Sequence, residues 1–402
     1  MVTPAEALSL ILEKIPLFHR EDCPIATAHG RVLRADVRAD RDFPPFDRVT
    51  MDGYALRSSA LAAGVREFVV QGTQSAGMRP LQLSPEASSC VEITTGSVLP
   101  LGADCVVPYE DTEKSEKTMT VLPAAAGLPP MNAVHRKGSD HPKGEVTIKA
   151  GTKLTGREIA VAAACGQAIL SVSRLPKIAV LATGDELVEV DSAVAPHQIR
   201  RSNDYALRAA LIAAGYPNVE RFHVRDMRHE IEHLLWHLLA EYDVILVTGG
   251  ISKGKFDFLP AELERQRVKK VLQGVAQRPG KPFWFGLSSR MTPVFALPGN
   301  PVSSYTCLHR YVIPALAHAS GRKVAPVGTA VLGAPFEFKP ALTCFLPVTV
   351  SSGAMAERIA MPQAGNTSGD ISGLVDTDGF VELPPGVVNF PRGYVAAYWP
   401  WV

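Results

Sequence analysis

The chain has 402 residues, 46% of them hydrophobic and 20% charged, with 41 Lys plus Arg against 40 Asp plus Glu. That length exceeds one ordinary hydrophobic core and predicts two to four domains. The even charge balance excludes a generic nucleic-acid surface, which needs a basic excess, and no uncharged apolar run reaches the ~18–20 residues that span a bilayer.

Thr3 is placed to cap a helix from Pro4 to about Lys14, with proline at its first position. Acids within MVTPAEALSLILEKI, and the lack of a basic start or small-residue cleavage site, mark a helix and not a signal peptide. Residues 30–44 alternate and read as extended. Residues 45–145 are short strands punctuated by proline and glycine, such as REFVVQG, SSCVEITTG and DCVVPYE, which predicts a small β domain. The strand EVTIKAG and a short helix from Arg157 to Ala164, stopped by Gly166, follow.

The rhythm then changes. KIAVLATG (177–184) and DVILVTGG (243–250) are short apolar strands, and VERFHV (219–224) is another. SNDYALRAALIAAGY (202–216) and MRHEIEHLLWHLLAEY (227–242) are helices, and FDFLPAELERQ is partly helical. Strands at 269–276 and 292–297 and a helix over 302–319 complete the series. Strand–helix alternation with buried strands predicts a parallel sheet covered on both faces. Residues 322–402 return to short strands with turns at Asp378-Gly379 and Pro385-Gly386, predicting a closing β domain. The fold class is α/β plus β. Its expected parts are an N-terminal helix and extended linker domain (1–44 and 139–174), a small β-rich domain (45–138), a doubly wound α/β domain (175–321) and a C-terminal β domain (322–402). Cys23, Cys90, Cys105, Cys165, Cys307 and Cys344 form no C-x-x-C pair. They read as isolated thiols of a reducing, cytoplasmic compartment.

Ligands of open α/β sheets lie beyond the carboxyl ends of the strands. Three strands here end in glycine turns: Thr183-Gly184-Asp185-Glu186, Thr248-Gly249-Gly250 and Leu297-Pro298-Gly299-Asn300-Pro301. Glycine lets backbone N–H groups approach an oxyanion, and a following helix adds its positive end. These turns predict a site for a phosphate-bearing ligand. Gly249 to Lys255 opens like a P-loop, but Phe256 stands where Ser or Thr would hold Mg²⁺. It reads as an anion-cradling loop using Ser252 and Lys253. Asp185, Glu186, Asp226 and Asp257 fall near ends of the same sheet. Carboxylates beside a phosphate require a divalent cation, with Mg²⁺ as the usual bridge; each taken singly also reads as a helix cap or solvated loop acid. His229-Glu230-Ile231-Glu232-His233 matches H-E-x-x-H. At about 100° per residue, His229, His233 and His237 share one face opposite Ile231, Leu234, Leu235 and Leu238. The histidines are therefore expected in solvent, not on a catalytic zinc.

Eight ordered motifs span nearly the whole chain: PPFDxxxMDGYA at 44–55, TTGSxxP at 94–100, RKGxD at 136–140, TGDEL at 183–187, SND at 202–204, TGGxSxG at 248–254, RPGKP at 278–282 and LPGNPVSS at 297–304. Together they resemble the molybdopterin molybdenumtransferase (MoeA) family, which includes the gephyrin E domain. The resemblance implies a MogA-like central domain, a C-terminal small β-barrel-like domain and a cytoplasmic molybdenum insertase. Such enzymes take adenylylated molybdopterin and molybdate and cleave the pyrophosphate with Mg²⁺, yielding molybdenum cofactor and AMP.

It further implies a homodimer with its site at the subunit interface, and a molybdopterin adenylyltransferase as a partner, without nucleic acid or membrane. By motif match, Asp52, Thr95, Asp140, Glu186, Asp226 and Asp257 are expected to be catalytic, with Asp185, Glu186 and Asp257 on the metal. Ligand contacts are expected from Thr183, Gly184, Asp185, Ser202, Asn203, Asp204, Thr248, Gly249, Gly250, Ser252 and Gly254. Arg278, Gly280, Lys281, Pro298, Gly299, Asn300, Pro301 and Ser303 complete that set. Arg48-Val49-Thr50 stands where many relatives have Asn-Ser-Ala, Lys255 where an acid is common and Gly274 where some carry lysine. These departures keep open a catalytically weak pterin-nucleotide-binding scaffold or a tungstate-specific paralogue.

Overall fold

The Thr3 hydroxyl accepts the Glu6 N–H at 3.3 Å while Glu6 accepts the Thr3 N–H at 2.7 Å. This reciprocal cap starts helix α1 (Pro4–Lys14). The computed structural model describes residues 1–250, 259–323, 326–363 and 367–402. Asp257, and with it Ser252, Lys253, Gly254, Lys255 and Phe256 of the anion-cradling loop, lie outside the described residues. The chain divides into two units. One comprises Met1–Arg34, Ala150–Thr155 and Leu170–Val402, and the other Ala35–Lys149 and Gly156–Ile169.

The first unit is built on a six-stranded sheet. Its elements are β1 (Ile178–Thr183), α2 (Asn203–Ala213), β2 (Val219–Val224), α3 (Arg228–Glu241), β3 (Val244–Thr248), α4 (Leu259–Arg265) and β4 (Lys269–Gln273). After a two-residue strand, β5 (Gln277–Arg278), come β6 (Trp284–Leu287) and β7 (Pro293–Leu297). The sheet order is β2-β1-β3-β7-β6-β4. Alternate residues point to opposite faces. Ile178, Val180, Val244, Leu246 and Phe295 pack with Ile11 of α1 and Leu207 and Leu211 of α2. Ala179, Leu181, Ile245, Val247 and Val294 pack with Leu235 and Leu238 of α3 and Leu259 of α4. Each fully buried Leu or Ile contributes roughly 1.5–3 kcal/mol.

The sheet departs from the all-parallel expectation. β2, β1, β3 and β7 are mutually parallel, but β6 pairs antiparallel with both β7 and β4. Only a short turn joins β6 to β7, fixed by the Ser288 hydroxyl accepting from the Arg290 and Thr292 N–H groups. A parallel crossover needs a dozen or more residues, so a hairpin is the available geometry. His229, His233 and His237 are exposed on α3, and Ile231, Leu235 and Leu238 are buried beneath them, as the helical period requires. Among the described residues no three His, Cys, Asp or Glu side chains gather to hold a metal ion. No described helix is long and apolar enough to cross a membrane.

From β7 the chain enters α5 (Pro301–Cys307), a π-helical turn (Leu308–Val312) and α6 (Ile313–Ala319). Five strands then close into a ring: β8 (Thr329–Leu332), β9 (Thr343–Ser352), β10 (Arg358–Pro362), β11 (Gly379–Leu383) and β12 (Val395–Pro400), ordered β9-β10-β8-β12-β11 and back to β9. β5 joins this ring, Arg278 pairing with Cys344. The second unit carries a six-stranded mixed sheet in which Gly53–Leu56 lies between Cys105–Pro108 and Ser89–Ile93. Tyr54, Phe68, Val107 and Met119 form its core. All six cysteines are buried free thiols. Burial pushes those of Cys90, Cys105, Cys307 and Cys344 up to about 12.

Candidate active site

β1, β3 and β7 lie side by side, with Ala182 opposite Thr248 and Thr248 opposite Leu297. Their three glycine turns therefore leave one edge of the sheet. The chain runs outward from β1 to β2, then returns to the other side of β1 as β3. Such a reversal opens a crevice beyond the strands' carboxyl ends. Asn203, at the start of α2, ties two of the turns together. Its Nδ2 donates to Thr248 Oγ1 at 3.0 Å and to the Gly299 carbonyl at 2.7 Å. Thr248 Oγ1 donates onward to the Pro298 carbonyl at 3.3 Å. Thr183 Oγ1 and Asn203 Oδ1 are buried without a hydrogen-bond partner among the described residues. A buried unsatisfied polar atom costs about 1–3 kcal/mol, so this edge is chemically suited to a polar ligand.

Gly249 has φ +94°, and a Cβ there would sit 2.7 Å from the Thr183 carbonyl oxygen. Gly249→Ala is expected to cost about 1–3 kcal/mol. The check is a lower urea midpoint at unchanged slope; an unchanged midpoint would show that the turn relaxes freely.

Asp185 and Glu186 are exposed beyond β1. Asp185 Oδ1 accepts the Asp226 N–H at 3.2 Å, bringing two of the predicted acids together, and His223 Nε2 stands 3.1 Å from the Gly184 carbonyl. Two adjacent exposed carboxylates fit Mg²⁺, which usually takes one or two carboxylates and fills its shell with substrate phosphate and water. Asp204 is fully buried, and its carboxylate is ion-paired with Arg201 at 3.2 Å and Arg221 at 2.9 Å. The Arg221 guanidinium lies 3.5 Å from the Tyr205 ring centroid. Ser202 occupies the cap position of α2 without a side-chain cap bond.

Arg278 and Lys281 are exposed, and Gly280 is buried between them. Arg278 lines a cavity of about 420 Å³ shared with Val302, Phe338, Leu346, Ser368 and Leu374. Ser303 is buried in the first turn of α5. Asn300 Nδ2 donates to Ser368 Oγ at 2.7 Å, and the Val302 N–H to the Ser368 carbonyl at 3.1 Å. Ser368 carried no signal in the sequence, lying 68 residues from Asn300 in a run of small polar residues.

In the second unit, Asp52 Oδ1 accepts the Thr95 N–H at 2.6 Å. The Tyr109 N–H donates to the Asp52 carbonyl at 3.2 Å. Tyr109 is itself anchored, its hydroxyl donating to Glu92 Oε1 at 3.1 Å. Lys114 at 2.8 Å and Thr73 at 2.9 Å also donate to Glu92, which together with Tyr109 hold its carboxyl below the usual range, Lys114 most strongly. Sequence reasoning missed Glu92 because it sits unremarked inside a strand. Asp140 is not bonded to the Asp52–Thr95 pair; it stands 2.9 Å from His135 Nε2.

A molybdopterin molybdenumtransferase of Synechocystis is 38% identical over 402 residues, covering all of both chains. The chain belongs to the molybdopterin molybdenumtransferase (MoeA) family. This family consists of transferases of molybdenum cofactor biosynthesis. Three family patterns match in order: the MoeA N-terminal region (domain I and II) over 2–166, a "Probable molybdopterin binding domain" over 179–318 and the MoeA C-terminal region (domain IV) over 329–401. The Bacillus subtilis molybdopterin molybdenumtransferase is 28% identical over 391 residues, covering 92% of this chain and 90% of its own. A solved molybdopterin biosynthesis MoeA protein from Pyrococcus horikoshii superposes with TM-score 0.85 at 26% identity, covering 100% of both chains. The MoeA fold accounts for the doubly wound centre and the closed C-terminal ring alike.

Proposed function

We propose that this protein inserts molybdenum from molybdate into adenylylated molybdopterin, with Mg²⁺-dependent release of AMP, and that it works as a homodimer. The observation that carries this reading is the sheet edge. There Asn203 joins the Thr248 and Gly299 turns, two buried polar atoms lack partners among the described residues, and Asp185 and Glu186 stand alongside. In this reading the glycine turns bind the phosphate-bearing end of the pterin nucleotide. Arg278 and Lys281 offset charge on the pyrophosphate as it is cleaved. Asp185 and Glu186 would hold Mg²⁺, which would neutralise charge developing on the phosphate. Asp204 acts by holding Arg201 and Arg221 at the first turn of α2.

Purified protein given Mg²⁺, molybdate and adenylylated molybdopterin is expected to release AMP only when molybdate is present. Release that ignores molybdate sinks the reading, as does none from a preparation that binds the nucleotide. Tungstate in a parallel arm identifies a tungstate-specific enzyme.

A further inference from the structure

We infer that the amino-terminal edge of the central sheet carries a second anion site, built for a tetrahedral dianion such as phosphate, sulfate or molybdate. A small cavity of about 30 Å³ lies there, where the segments leading into β1 and β2 meet the end of α6. Arg31, Lys153, Arg174 and Arg322 line it, with hydroxyls from Tyr216 and Ser320, and among the described residues no carboxylate is in its wall. It shares no residue with the glycine turns or with Arg278 and Lys281, so it stands whether or not the proposed insertase reading holds.

The charges around it do not cancel. Arg31 is paired with Glu21, and Arg174 with Asp243 at 2.5 Å. Lys153 and Arg322 have no ionic partner among the described residues. Two positive charges thus remain over one small hollow, matching a dianion and disfavouring a monoanion. Like charges gathered without a counter-charge repel, by about 1 kcal/mol even in water at 4 Å; an oxyanion between them reverses the sign.

The site is also partly rigid. Arg31 donates to the Ser173 carbonyl at 2.8 Å and to Cys23 Sγ at 3.8 Å. Its Nε is buried and has no partner among the described residues. A guanidinium already held in place, with one buried donor unused, loses little entropy on meeting an oxyanion.

Titration calorimetry of the full-length protein with inorganic phosphate, sulfate and molybdate tests this. The wild type is expected to bind one anion per chain at a site that persists in an Arg278→Ala/Lys281→Ala variant. In Lys153→Ala/Arg322→Ala, where only unpaired cations are removed, that binding should weaken at least about tenfold per charge, the effect of losing a charge-assisted contact. Phosphate should weaken as falling pH adds a second proton, and sulfate should not. Selenate soaked into crystals should give an anomalous peak among Arg31, Lys153 and Arg322. Wild-type affinity in the 153/322 variant overturns the inference, as does loss of all binding in the 278/281 variant or the absence of that peak.

Discussion

Asp52→Ala is expected to lower molybdate-dependent AMP release by at least about a hundredfold, the scale on which positioned charged groups act in catalysis. The residue is exposed, so its charge is not there to hold a core. One oxygen, Oδ1, fixes the Thr95 turn through the Thr95 N–H at 2.6 Å. Oδ2 makes no hydrogen bond among the described residues. The carboxylate therefore has a structural half and a half open to chemistry. Asp52→Asn separates them, because an amide oxygen still accepts from Thr95 while the charge is gone. If the charge matters, Asp52→Asn falls as far as Asp52→Ala, with kcat carrying the loss and the thermal midpoint unchanged. If only the turn matters, Asp52→Asn stays within about tenfold of wild type. Full activity in both variants would remove Asp52 from the site.

The central sheet and the glycine turns at its edge were legible in the sequence for a simple physical reason. Strands 178–183, 244–248 and 293–297 are unbroken apolar runs, buried on both faces, and each stops at a glycine turn. Local composition carries that information. The antiparallel β6 was not legible, since Trp-Phe-Gly-Leu has no period that separates it from a buried helix segment. Asp204 is expected among the ligand contacts only through the SND motif at 202–204. What buries it is Arg221, 17 residues away on β2, and no local pattern reports that pairing. Ser368 and the cations of the amino-edge cavity share this property. Each is brought to its neighbours by topology, from segments whose own sequences say only that they are polar.

The largest stability effect is expected at Arg310, on the π-helical turn between α5 and α6. Its side chain is 4% exposed, and it makes a two-point bond with Glu382 of β11, Nε to Oε2 at 2.8 Å and Nη2 to Oε1 at 3.3 Å. The Trp399 indole donates to the same carboxylate at 3.1 Å, and the guanidinium lies 4.3 Å from the Trp399 ring. One residue earlier, His309 accepts the Val402 N–H at Nε2, while its Nδ1 donates to the Tyr305 carbonyl. Burial lowers the His309 imidazole to about 4, so it is neutral and fits both bonds. The helix thus holds the C-terminal ring by one charged pair and one neutral bridge. Removing one member of a buried pair strands the other charge, at a cost of about 3–5 kcal/mol, whereas replacing both with apolar residues of similar volume is close to neutral. Arg310→Ala should therefore lose about 3–5 kcal/mol in urea, and Arg310→Met combined with Glu382→Leu should recover most of it. Tryptophan fluorescence follows the transition, with Trp399 and Trp401 packed at this junction and Trp236 and Trp284 reporting the central sheet domain. A loss under about 1 kcal/mol in the single variant would show that water enters and screens the pair. A double variant as unstable as the single would show that the junction depends on the shape of Arg310 and not on its charge.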